Sequence, residues 1–253
     1  MLIKAQSITK AFGPHKVLKD VSLQINEGDS IGLIGVNGAG KTTFLRIMLG
    51  EMKPDTGELI RNTERIGYLE QFAEDSEEFT VRDVLGRPYG HIENIKRRIN
   101  EIEEIMASGG DIDWNALAVE NAELESQLAK SDMDDEENQK KALEKVGLSV
   151  DMMDRTMDSL SGGERAKVML SRIVVQADDC DLLVMDEPTS HLDINTVEWL
   201  EDYILKFKGT VLTISHDRYF LDRVVERIIE IHAGTAEFYN GNYSFYMQEK
   251  QAR

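Results

Sequence analysis

The sequence predicts an α/β fold: a parallel sheet covered by helices, with a strand-rich N-terminal part and a long helical insertion. Three observations carry this. A short apolar strand, Ser30–Gly35, runs into the loop Gly35-Val36-Asn37-Gly38-Ala39-Gly40-Lys41-Thr42, and a helical pattern follows as far as Leu49. Apolar strands at Asp181–Met185 and Gly209–Ile214 alternate with helical stretches, and strand–helix–strand connections of this kind build parallel sheets. Between about Thr80 and Thr156 the chain changes to charged helix.

From Leu2 to Ile34 the chain reads as strands separated by polar turns. Val17, Val21, Leu23 and Ile25 are apolar, the last three alternating, and Asn26-Glu27-Gly28-Asp29 is a turn. The helix Thr42–Leu49 presents Phe44, Leu45, Met48 and Leu49 on one face, with Gly50 near its end. A second strand-rich patch covers Gly57–Ile60 and Arg65–Leu69. In the insertion, Ile92, Ile95, Ile99, Ile102 and Met106 follow the 3-4 spacing of a heptad seam. After Ser108-Gly109-Gly110-Asp111, the residues Trp114, Leu117, Asn121, Leu124 and Leu128 repeat it. Two such stripes across a short polar turn predict an antiparallel helical hairpin over about 91–130, with Asn121 able to fix its register. The acidic stretch Ser131–Glu137 reads as a loop, and a further helix with Ala142, Leu143 and Val146 leads to Leu160-Ser161-Gly162-Gly163-Glu164. A helix to about Ala177 and another over Ile194–Phe207 flank the strand at Asp181–Met185.

Composition narrows the function. The 253 residues fit one large α/β domain with an insertion over about 80–156. A net charge of −18 argues against coating nucleic acid non-specifically, which takes clustered Lys and Arg. No stretch approaches the length of a membrane-spanning helix, and Met1–Gln6 reads as the start of a strand rather than a secretory leader. Cys180 is the only cysteine and, beside an apolar strand, reads as a packed structural thiol. The expected location is cytoplasmic.

The loop at 35–42 is a full G-x-x-x-x-G-K-[ST] phosphate cradle, preceded by a strand and followed by a helix as that motif requires. Lys41 supplies positive charge to the outer phosphates of ATP, and Thr42 offers a hydroxyl to Mg²⁺. Gly35, Gly38 and Gly40 let backbone approach phosphate, and Asn37, Ala39 and Thr43 complete the nucleotide-contacting stretch. The helix that follows aims its N-terminus at the anion. Asp186 ends the apolar run Leu182-Leu183-Val184-Met185, where a carboxylate can join a Mg²⁺ shell, and Glu187 beside it can polarise an attacking water.

With the Leu160–Glu164 signature ahead of Asp186-Glu187, the chain resembles the ABC-type ATPases over nearly its whole length. The resemblance implies a phosphate-loop domain with an N-terminal antiparallel β-subdomain, a RecA-like parallel core and an inserted helical subdomain. It implies ATP bound between two such domains, so that Ser161, Gly162, Gly163 and Glu164 serve the nucleotide held by a partner. It places Phe12 on the adenine, Gln71 on Mg²⁺ and the attacking water, His216 on the γ-phosphate, and Asp193 in the loop that communicates with the opposing site. Pro188–Asp193, Ser215–Asp222 and Asn240–Tyr246 are similar to the ABC-F proteins, which are soluble, carry two ATPase domains and characteristically act on the ribosome. Ser190 replaces the asparagine usual there, and Glu164-Arg165 is nearer the transporter form of the signature. One loop and one signature look like the first ATPase domain of a tandem protein, with a single-domain homologue as the alternative. The site is expected to be completed by a second ABC domain, either a tandem copy or a second copy of this chain in an ATP-dependent homodimer. The alternative is the ATPase subunit of an ABC membrane transporter.

Overall fold

The computed structural model describes residues 1–63, 65–69, 79–86, 90–108, 114–177, 180–190 and 192–252. The chain divides into two compact units, Met1–Ala73 with Gln176–Arg253, and Glu74–Val175.

The first unit holds two sheets. Strands β1 (Ile3–Phe12) and β2 (His15–Ile25) form a hairpin, and β4 (Thr56–Arg61) pairs antiparallel with the other edge of β1. The six-stranded sheet runs β5-β6-β7-β3-β8-β9. Its members are β3 (Ser30–Ile34), β5 (Ile66–Leu69), β6 (Leu182–Asp186), β7 (Thr210–Ile214), β8 (Arg227–His232) and β9 (Thr235–Tyr239). All pairs are parallel except β8 with β9. The apolar runs of β3, β6 and β7 are buried nearly end to end, as strands covered on both faces must be.

Helix α1 (Lys41–Leu49) makes the link between the sheets. Its Phe44, Leu45, Ile47 and Met48 share one core with Ile3, Ile8, Val21 and Ile25 of the antiparallel sheet and with Leu33, Val184, Ile214 and Ile229 of the parallel one. Each such side chain contributes about 1.5–3 kcal/mol by leaving water, so the start of α1 is fixed from both sides. Helices α6 (Ile194–Lys206), α7 (Arg218–Val224) and α8 (Tyr243–Ala252) complete the unit. Beyond Ile214 the sequence expectations assigned no elements, and α7, β8, β9 and α8 are additions. The β8–β9 turn has a legible cause: Ala233 (φ +49°) and Gly234 (φ +85°) form a two-residue link with both central φ angles positive, which matches strand twist.

The second unit is helical, with α2 (Val81–Leu85), α3 (Gly90–Ser108), α4 (Trp114–Lys145) and all but the last two residues of α5 (Gly162–Ala177). As the heptad spacing predicts, α3 and α4 pack together, and Ile95, Ile99 and Ile102 are buried. Two expectations require correction. Ser131–Glu137 is not a loop, because α4 continues through it to Lys145 without a Gly or Pro to stop it. The pairs Lys140–Glu136 (2.9 Å) and Lys141–Glu137 (2.7 Å) support that continuation at i,i+4 spacing. Nor does Asn121 bond across the seam: its amide donates along its own helix to Glu125 Oε1 (2.8 Å). Arg98 does cross from α3 to α4: its Nε and Nη2 donate to the two carboxylate oxygens of Glu120 at 2.8 and 3.2 Å.

Candidate active site

The parallel strands deliver their C-terminal ends to one edge of the sheet, where open α/β sheets bind ligands. Leu33, Ile214 and Asp186 lie in register across β3, β7 and β6. The glycine loop leaves β3, Glu187 follows β6, and Ser215 and His216 follow β7, so three distant chain segments meet along this edge.

Glycine is required at the loop's first position. A Cβ on Gly35 (φ +149°) would stand 2.3 Å from the carbonyl oxygen of Ile231 in β8. The loop closes on itself as Ala39 N–H donates to Val36 O (3.1 Å). Lys41 is largely buried beneath it, with Nζ donating to Gly35 O (2.7 Å) and Val36 O (3.3 Å). The N-cap of α1 is Gly40, which has no side chain to bond the first-turn N–H groups. Those donors suit an anion, and a buried lysine beside them suits phosphate. Asn37, Gly38 and Thr42 are exposed, Thr43 is half-buried, and Ala39 is buried. Val17 and Leu18 of β2 pack against Gly40, and the same hairpin pairs Phe12 with His15 at its tip. Phe12 is 49% exposed there, with the Lys10 ammonium over its ring at 6.0 Å from the centroid.

Glu187 is the constrained residue of the site. Its φ is +50°, a left-handed value rare for a side chain of this kind, and its N–H donates to Ile214 O (2.8 Å). One carboxylate oxygen, Oε2, accepts from the His216 backbone N–H at 3.2 Å. The other, Oε1, is buried, has no hydrogen-bond partner among the described residues, and lies 3.6 Å from His216 Nε2. A buried carboxylate oxygen left open in this way fits a donor such as water. The His216 ring is exposed, and Asp186 is half-buried at the end of β6. Thr189 Oγ1 and Ser215 Oγ are 3.4 Å apart, and Asp217 caps α7 by accepting from the N–H groups of Tyr219 (2.9 Å) and Phe220 (3.2 Å). Sequence reading missed this tie between the two loops, although an Asp ahead of a helical pattern is a readable cap.

The signature lies in the other unit. Ser161 N–H and Oγ–H donate to Glu164 Oε2 at 2.8 and 2.7 Å, while Glu164 N–H returns a bond to Ser161 Oγ (3.3 Å), a complete capping box. The Ser161 hydroxyl, and next its N–H, hold the Glu164 carboxyl below the usual range. Gly162 and Gly163 are exposed with open space around them. Asp193 caps α6, accepting from Thr196 N–H (3.0 Å) and Oγ1–H (2.9 Å). Gln71 lies outside the described residues. Cys180 is buried against β5, in keeping with a structural thiol.

The family model described as ABC transporter matches residues 18–190, which include the glycine loop, the signature and the Asp186-Glu187 pair. The chain belongs to this family of ATPases. Its curated relatives include the energy-dependent translational throttle protein EttA of Mycobacterium tuberculosis (strain H37Rv), 38% identical over 250 residues, covering 98% of this chain and 44% of the relative. The Haemophilus influenzae protein of that name is 39% identical over 240 residues, 94% of this chain and 42% of its own length. ABC transporter F family member 5 of Arabidopsis thaliana is 36% identical over 253 residues, 98% and 36% of the two chains. The chain thus spans less than half the length of these relatives. Among solved structures, a nucleotide-free ATP-binding cassette from an ABC transporter superposes with a TM-score of 0.68 at 23% identity, over 100% of this chain and 95% of that one, which shows the fold. The expected α/β architecture and the ABC-F resemblance are both supported, and the chain is a nucleotide-binding ABC ATPase domain. Among the described residues, no helix is long and apolar enough to cross a membrane.

Proposed function

We propose that this ATPase domain hydrolyses Mg-ATP in the manner of the ABC-F proteins, together with a second ABC domain, and that nucleotide-driven closure controls binding to the ribosome in the cytoplasm. The observation that carries the chemistry is the meeting of the Lys41 loop, Asp186, Glu187 and His216 along one sheet edge. The ribosomal part is supported by relatives named as translational throttle proteins, and rests on that likeness.

In this reading, the first-turn N–H groups of α1 and the Lys41 ammonium hold the phosphates, and the exposed Phe12 ring stacks on adenine. Mg²⁺ commonly takes few protein ligands, with water and phosphate oxygens filling its shell, and when bound it neutralises charge on those oxygens. Thr42, Asp186 and Gln71 would hold it. Glu187 orients an attacking water through its open Oε1 and draws off a proton, while His216 stands by the γ-phosphate. Ser161, Gly162, Gly163 and Glu164 serve the nucleotide of the opposing domain, and Asp193 links the two sites.

Nucleotide-dependent co-sedimentation with ribosomes, carried out with the native full-length protein, tests the proposal. ATP-dependent association is the expected result. Absence of that association, with recovery of a transmembrane partner from membranes instead, would transfer the same chemistry to a transporter.

A further inference from the structure

The Glu187 carbonyl oxygen carries two donors from one residue. Ser190 N–H reaches it at 3.1 Å and Ser190 Oγ–H at 2.8 Å. The first is the i→i+3 bond of the turn Glu187-Pro188-Thr189-Ser190, where Pro188 stands at the position that favours it. The second adds a side-chain bond that the turn itself does not need. On the other side of the same Cα, Glu187 N–H donates to Ile214 O at 2.8 Å. Both peptide planes of Glu187 are therefore held from outside, about a residue whose φ of +50° lies in a sparsely populated region. Such a conformation persists only where its surroundings over-determine it.

We propose that Ser190 is a positioning residue for hydrolysis, acting through the Glu187 backbone. The planes on either side of Cα set where Cβ points, and this decides whether the carboxylate reaches the His216 N–H with Oε2 and leaves Oε1 open. The Ser190 hydroxyl bonds the carbonyl and not the carboxylate, so it steers the acid without reducing its capacity to accept a proton. The short Ser190 hydroxyl closes on the carbonyl within its own turn. The inference rests on Glu187 being the residue that orients water.

Ser190→Ala removes one neutral hydrogen bond and keeps the turn. It should lower kcat for Mg-ATP about three- to tenfold at unchanged KM, because the phosphate-holding loop is untouched. Ser190→Thr keeps the hydroxyl and should recover the rate. The His216 amide resonance is a second readout that needs no turnover: it should move in Ser190→Ala and stay in place in Ser190→Thr. Glu187→Gln separates the two ideas. A large loss in Glu187→Gln with no further loss in the Glu187→Gln/Ser190→Ala double variant supports the inference. A slow Glu187→Gln beside a Ser190→Ala protein with wild-type kcat and an unmoved His216 amide overturns the role of Ser190 and leaves that of Glu187 standing. A Glu187→Gln protein with wild-type turnover overturns the assignment of Glu187 itself. A Ser190→Ala effect confined to KM, or one that Ser190→Thr fails to recover, overturns the role of Ser190.

Discussion

Substituting alanine at two glycines of the phosphate loop separates support of the loop from its freedom to turn. At Gly35 a Cβ would lie 2.3 Å from Ile231 O and 3.4 Å from the Ala39 Cβ, so β8 must shift or the loop must rise from its floor. Overpacking of this kind costs about 1–3 kcal/mol, and a φ of +149° adds strain of similar size, so about 3 kcal/mol is expected for Gly35→Ala. At Gly38 (φ +78°) nothing lies within 4 Å of the added atom, which leaves only the left-handed penalty of about 1 kcal/mol. For a domain of this size those figures correspond to falls in Tm of about 6–12 °C and about 2–4 °C. Thermal unfolding without nucleotide, followed by circular dichroism, measures both. Equal falls for the two variants would refute the reasoning, because the contact with Ile231 would then carry no cost.

Other expectations concern chemistry and assembly. Glu187→Gln can still accept the His216 N–H but cannot take a proton, so it should bind ATP normally and turn over about 10²-fold more slowly, about 2.7 kcal/mol on the barrier, in a steady-state phosphate-release assay. Lys41→Ala should instead fail at binding, as isothermal titration would register. The Glu187→Gln protein should dimerise with Mg-ATP in sedimentation velocity and lose that dimer on adding Ser161→Arg, because a nucleotide touching both partners stabilises only the joined state. The Glu164 carboxyl is depressed in the fold, so its support of the Ser161 cap is complete above about pH 5 and is lost as pH falls through the folded value. The Ser161 amide resonance should accordingly titrate at a pH below the ordinary glutamate midpoint.

The site was legible where its signals are local. The strand before Gly35, the loop and the helix after Lys41 are contiguous, and each is constrained by short-range stereochemistry. Asp186 was legible because a charge that ends a fully apolar run must sit at a strand end. Other features depend on partners far along the chain. That Ile231 forms the floor beneath Gly35, and that Arg98 rather than Asn121 crosses the hairpin, are facts of register that no periodicity contains. The acidic run at 131–137 misled because its charges suggest solvent, whereas a helix can carry them when lysines stand four residues on. The Ser190 clamp gave no sequence signal, since the hydroxyl bonds backbone in a turn whose shape depends on β7.

The pairing of β3 has a consequence for the order in which the domain matures. The strand that leads into the phosphate loop is made early, yet both of its neighbours, β7 and β8, come from the last fifth of the chain. Closing so long a loop of chain costs entropy before any contact repays it, and pairings of this kind form slowly. During synthesis the glycine loop therefore emerges without the carbonyl of Ile231 beneath it and without strands on either side of its root. The phosphate loop is thus among the last parts of the domain to gain its native surroundings. A nascent chain interrupted before β8 would carry every residue of the loop and still lack the floor that shapes it.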